Sequence, residues 1–200
     1  MREEIKQVAE ELLIIHGYHG FRFIDVAERL GLSRSNIHYH FGNKSAVVEE
    51  VILAYIDKTL LTWQRIWAPE SGPYVSLFQK IEGTIEFSHR RYLRFNPTGV
   101  GGRPWSLISR MRLERDLLTD KARDALTDYR NTVERYVIIG VSQAIEAREL
   151  RRATPVKDIA GQLVTIIDTA DPITRDAGRF DRLRQVYSAF ARIIEDAYGA

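Results

Sequence analysis

Between Ser33 and Lys44 the chain sets Arg34, Ser35, Asn36, His38 and Tyr39 around a single aliphatic residue, Ile37. These side chains are hydrogen-bond donors and acceptors with a flat ring among them, the set that reads the edges of paired bases in a major groove. Asn36 suits a bidentate bond to adenine. Arg34 suits the N7 and O6 of guanine or a phosphate oxygen, and Tyr39 suits a thymine methyl group or a phosphate. Lys44 opens the following helix, where its charge adds to free backbone amides and favours an anion such as a phosphate. His40 and Phe41 read differently, Phe41 as core and His40 as a packed, hydrogen-bonded structural residue.

Such a surface needs a short helix held out on a firm base. Val26, Ala27 and Leu30 stripe one short helix that Gly31 stops, and Ser33 is a good N-cap for the next, which Leu32 and Ile37 anchor from beneath. A helix, a glycine turn and a second helix with an exposed polar face form a helix-turn-helix. Ahead of it, Ile5, Val8, Ala9, Leu12 and Leu13 stripe a first helix that Gly17 ends. After it, a longer helix runs from Lys44 to about Trp67, where Pro69 and Glu-Ser-Gly-Pro punctuate the chain.

The remainder repeats helical spacing at greater length. Tyr74, Leu77, Phe78, Ile81 and Ile85 stripe one helix, and a loop over 96–104 closes it. Helices over about 105–118 and 122–150 follow. Thr154-Pro155 restarts the chain, Asp171-Pro172 and Gly178 interrupt it, and Phe180, Leu183, Val186, Tyr187, Phe190 and Ile194 stripe the last helix. The expected fold is all-α with about nine helices. Residues 1–45 are expected to form a three-helix DNA-binding domain and 46–200 a larger helical domain, with 44–67 as the linking fourth helix.

Composition narrows the function. With 44% hydrophobic and 10% aromatic residues in 200, the chain can bury a core, and with no cysteine it has no thiol catalysis or cysteine-ligated metal. The start MREEIK lacks signal-peptide character. The longest apolar runs, Leu12 to Ile15 and Tyr136 to Val141, are far below the roughly 18 residues of a membrane span, so a cytoplasmic location is expected. Net charge is only +2, and residues 1–68 hold eight basic against nine acidic side chains. Any DNA contact must use a local patch, and one exists: from Arg29 to Val48 there are three cations, two histidines and no carboxylate. His38 and His40 stand on different helix faces, so no metal site is expected. The loop Gly-Val-Gly-Gly-Arg-Pro lacks the Gly-Lys-Ser/Thr ending of a nucleotide loop, and no nucleophile and base pair up, so neither a cofactor nor an enzyme is expected.

Trp63, Trp67, Phe78, Ile85, His89, Tyr92, Trp105, Ile108, Met111 and Tyr129 form a set able to line an apolar cavity with a few polar handles for a small-molecule effector, or simply to make the core of a helical bundle. Arg90, Arg91 and Arg94 are candidates for holding an anionic group.

The run from Gly17 to Ile52 resembles the DNA-binding region of the TetR family of transcriptional regulators, over about 45 residues from Ala9 onward. The resemblance is carried by Gly17-Tyr18, Val26-Ala27, Gly31-Leu32-Ser33 and His40-Phe41-Gly42-Asn43-Lys44. Two positions depart from the family's pattern. His38 stands where a phosphate-bonding tyrosine is usual, and Arg22 stands where a threonine or serine commonly bonds phosphate. The segment Ala147 to Pro155 and the following IAGQLVTIIDTADP are similar to the end of the family's variable domain. The resemblance implies DNA contact by Arg22, Ser33, Arg34, Ser35, Asn36, His38, Tyr39 and Lys44. It also implies a homodimer whose last two helices, about 156–169 and 179–197, pair with their symmetry mates through Leu163, Ile167, Phe180, Leu183, Tyr187, Phe190 and Ile194. Expected partners are a palindromic double-stranded operator and a small-molecule effector that releases a repressor. The alternative is a protein of the same fold that answers to a protein partner.

Overall fold

In a computed structural model describing residues 1–200, the chain folds as nine α-helices: α1 (Arg2–Gly20), α2 (Phe23–Leu30), α3 (Arg34–Phe41), α4 (Lys44–Trp67), α5 (Leu77–Phe95), α6 (Leu107–Leu113), α7 (Asp120–Glu146), α8 (Val156–Ala177) and α9 (Asp181–Tyr198). A 3-10 turn, Arg115–Leu117, stands between α6 and α7. No strand forms; Val100 with Arg179 and Leu150 with Gly199 make isolated bridges. The all-α expectation therefore agrees with the structure, and no helix is long and apolar enough to cross a membrane.

The chain divides into two compact units, Met1–Thr59 with Pro104–Tyr129, and Leu60–Arg103 with Arg130–Ala200. The sequence boundary near residue 45 thus falls inside the first unit. The reason is contact between distant segments: α6 packs on α1, and Glu49 of α4 accepts from Thr119 Oγ1 at 2.6 Å and pairs with Lys121 at 3.2 Å. In this unit Ile5, Ala9, Leu12 and Leu13 of α1 are buried together with Val26, Ala27, Ile37 and Val48. Gly17 does break α1, at φ 72 and ψ −176, yet one more turn follows to Gly20.

In the second unit α5 begins with a reciprocal capping box between Ser76 and Gln79. α8 and α9 pack against each other and α9 against α5. The break expected at Asp171-Pro172 does not occur, because α8 runs through Pro172 and ends at Gly178 in the left-handed conformation, φ 64. Pro172 lies on the exposed side, where the carbonyl it leaves without an amide can be hydrated, while Ala170, Asp171 and Thr174 keep the buried side continuous. The expected helix over 105–118 contracts to α6 and the 3-10 turn, and α7 stops at Glu146, short of Leu150.

Candidate nucleic-acid interface

α3 is fixed at both ends by local signals. Gly31 ends α2 at φ 64 and ψ 31, and the Leu32 amide reaches back to the Ala27 carbonyl at 2.9 Å, closing the turn. Ser33 Oγ then accepts the Asn36 amide at 3.3 Å, satisfying a donor that the first turn of α3 leaves open. Ile37 and Phe41 are buried and set the roll of the helix. Arg34, Ser35, Asn36, His38 and Tyr39 are consequently exposed, Tyr39 to 86%.

The far end of α3 is strapped down. Arg2 donates to the His40 carbonyl and to Glu50, and its guanidinium lies 4.2 Å from the centre of the Phe41 ring. His38 Nδ1 lies 2.9 Å from the Gly42 carbonyl, and its ring meets Phe23 edge-on at 4.8 Å. Asn43, which the sequence reading took as part of the motif without a role, caps α4 by accepting the Ala46 amide at 2.9 Å and the Ser45 hydroxyl at 2.7 Å. An asparagine just ahead of a long apolar stripe was the available signal.

Two cations assigned to phosphate have partners of their own. Arg22 stands at the N-cap position of α2, makes no cap bond with its side chain, and forks onto Asp25, at 2.9 and 2.5 Å. The hydrogen bond from Arg22 holds the Asp25 carboxyl below its usual range. Lys44 is half-buried, its Nζ 3.5 Å from the His19 carbonyl and 4.7 Å from the centre of the Tyr18 ring. Burial pulls its pKa down while Glu114 opposes the shift. The ammonium therefore sits at the last turn of α1, where the end of the helix dipole welcomes it, and is not held out into solvent. Arg22, Arg34, His38 and Lys44 border a cleft of about 360 Å³ floored by Phe21, Phe23 and Ile24.

The remaining candidates are dispersed. Trp105, Ile108, Met111 and Tyr129 are buried in the first unit; Trp63, Trp67, Ile85 and Tyr92 are buried in the second. Trp67 Nε1 donates to Thr84 Oγ1 at 3.0 Å, and His89 stacks on Phe180 with ring centres 4.5 Å apart. Phe78 departs from expectation. It is 56% exposed, because α5 buries the face of Leu77, Ile81, Thr84 and Ser88 instead, and it lines a surface cleft of about 400 Å³ with Leu150 and Ile194.

The seam expected between two copies is also corrected. Leu163, Phe180, Leu183, Tyr187 and Ile194 are buried within the single chain, so this stripe is an internal face and is not available to a partner. Ile167 and Phe190 remain half-exposed, and Ile193, which the sequence reading left out, is 60% exposed.

A helix-turn-helix whose second helix carries an exposed polar face has the form that many DNA-binding proteins present to a groove. Residues 5–51 match the family model described as bacterial regulatory proteins, tetR family. The HTH-type transcriptional repressor AcnR of Corynebacterium glutamicum is 24% identical over 168 residues, covering 84% of this chain and 78% of that protein. A TetR family regulator from Agrobacterium tumefaciens superposes with a TM-score of 0.79 at 16% identity, covering 100% of this chain and 97% of that one. A regulator from Saccharomonospora viridis in complex with choline gives a TM-score of 0.77 at 19% identity with the same coverage. An ATP-dependent helicase/deoxyribonuclease of Staphylococcus saprophyticus is 25% identical over 232 residues and covers 98% of this chain, but the chain spans only 20% of that protein's length. Residues 5–51 are thus similar to the N-terminal domain of the tetR family of bacterial regulatory proteins, and the chain as a whole shares the fold of solved TetR family regulators.

Proposed function

We propose that the chain acts as a dimeric repressor that grips a palindromic operator through α3 and lets go when a small molecule binds it. The observation that supports DNA reading best is the exposed face of Arg34, Ser35, Asn36 and Tyr39 over the buried anchors Ile37 and Phe41. Two copies related by a two-fold axis would present α3 to half-sites about 34 Å apart, one turn of DNA. Effector release draws support from the choline complex of the Saccharomonospora viridis regulator, which has a similar fold. α4 is one unbroken helix from Lys44 to Trp67, so a tilt at Trp63 and Trp67 would be carried to Lys44 as by a rod. An effector that favours the released conformer by about 3 kcal/mol would lower operator affinity roughly 150-fold.

The test is titration of the protein against genomic fragments that include the region upstream of its own reading frame. One fragment bound far more tightly than the rest is expected, with Asn36→Ala costing about 1–3 kcal/mol on that fragment alone. Equal weak affinity for every fragment would remove the claim of sequence-specific regulation.

A further inference from the structure

We propose that His38 makes DNA binding proton-linked, because the ring can donate from Nε2 to a backbone phosphate only as the imidazolium. The proposal rests on the reading of α3 as the DNA-facing helix and concerns the control of that same surface.

The argument begins at Gly42. Its carbonyl oxygen lies 2.9 Å from His38 Nδ1 and carries no proton, so Nδ1 must be the donor of that bond. The edge-on contact with Phe23 at 4.8 Å gives the ring a second fixed neighbour. With Nδ1–H committed inward, Nε2 is the polar atom left on this exposed side chain. In the neutral ring Nε2 is a lone pair, and a lone pair facing a phosphate oxygen brings two acceptors together without a proton. Adding a proton turns the same atom into a charged donor, which makes a stronger bond to an anion than a neutral donor does. A tyrosine hydroxyl would donate at any pH near neutrality; this histidine would not.

The charged groups around His38 set the direction. From the start of α2 comes Arg22, already bonded to Asp25; from α3 itself, Arg34; and from α4, Lys44, with neutral Asn43 beside it. Arg22 also feels Glu28 and Lys44 feels Glu114, so the carboxylates near these cations face them from behind the α3 surface and none is bonded to His38. A duplex brings phosphates to that surface and favours the protonated ring, so binding takes up a proton and tightens as pH falls.

The probe is a duplex enriched by the wild-type protein from a randomised library at pH 7, with affinity measured at pH 6 and pH 8 at constant ionic strength. Wild type should bind more tightly at pH 6 by about five- to tenfold for each copy of α3 engaged, the scale set by one linked proton per copy. His38→Tyr and His38→Gln, which donate at both pH values, should change less than twofold, and His40→Gln should keep the wild-type dependence. A pH dependence that survives in both His38 variants overturns the proposal by placing the proton elsewhere. Wild-type affinity that is flat, or that rises with pH as expected if Nε2 accepts from a base amino group, overturns it while leaving α3 as the reading helix. Enrichment of no duplex removes the DNA-facing reading and the proton linkage with it.

Discussion

The Glu114 carboxylate accepts the backbone N–H of Tyr18 at 2.7 Å across ninety-six residues of sequence. Gly17 breaks α1 immediately before Tyr18, and an amide released from the helical ladder needs another acceptor. The segment just after α6 supplies it, which is one reason why Pro104–Tyr129 clusters with the N-terminal helices. The same contact leaves no room at residue 17. A Cβ there would lie 2.6 Å from both Glu114 carboxylate oxygens and 2.7 Å from Arg110 Nε.

Gly17→Ala should therefore destabilise the protein chiefly through the backbone region at φ 72 and ψ −176 that is essentially reserved for glycine, and further by pushing the Glu114 carboxylate off the Tyr18 amide. A loss of about 2–4 kcal/mol is expected by chemical denaturation. Glu114→Gln keeps an acceptor oxygen and should cost much less. If Gly17→Ala unfolds at the wild-type midpoint, the break in α1 is not a requirement of the fold.

The Arg22–Asp25 fork makes a prediction about DNA more than about stability, since both residues lie at the surface and an exposed pair contributes little. Asp25 occupies the hydrogen-bonding edge of a guanidinium that stands beside α3's cleft. Asp25→Asn should remove the charge that holds that cation, tighten binding to all duplexes alike, and steepen the dependence of log affinity on log salt by about one for each copy bound. An unchanged salt slope would mean that Arg22 lies off the phosphate track.

Lys80 is 1% exposed, with Nζ 3.3 Å from the Trp67 carbonyl and 3.5 Å from that of Ile66, so it caps the end of α4. Burial pushes its ammonium below the ordinary lysine value of 10.5, with Glu149 opposing. The unfolded chain then keeps this proton at pH values where the folded chain has released it. Lys80 therefore adds a rise in stability with pH across the window that ends at 10.5, and no slope below its lowered value. Lys80→Met should remove that rise, so the stability of wild type relative to the variant increases between pH 7 and pH 10. Parallel stability curves for the two proteins would show that the lysine titrates as if in water.

Helix α3 was legible because its determinants are local: a left-handed glycine at 31, a capping serine at 33, and Ile37 and Phe41 one turn apart. Arg22 and Lys44 were recognised as cations in the right places, yet Asp25 and the His19 carbonyl hold them, and residue type says nothing about which neighbour arrives first. The return of α6 to α1 joins segments with no common pattern. Pro172 was a local signal that packing of the buried face of α8 overrode.

The stripe on α9 shows the limit most clearly, and it yields the last prediction. Leu183, Tyr187 and Ile194 satisfy a 3.6-residue period equally well whether another chain or this one covers them; here they are buried against elements of their own unit. A second apolar set, Val186, Phe190 and Ile193, follows the same period on a neighbouring face and is left half-covered or open, Ile193 at 60%. A contiguous apolar face on a soluble helix marks an interaction surface more often than a packing accident. The double variant Phe190→Asp with Ile193→Asp should consequently sediment as a monomer while keeping the wild-type helical signal. Leu183→Asp should instead lose the fold, because a carboxylate at a position with 0% exposure has no partner to offset its desolvation. A double variant that still sediments as a dimer would move the contact to another face, and a folded Leu183→Asp would contradict the assignment of that stripe to the core.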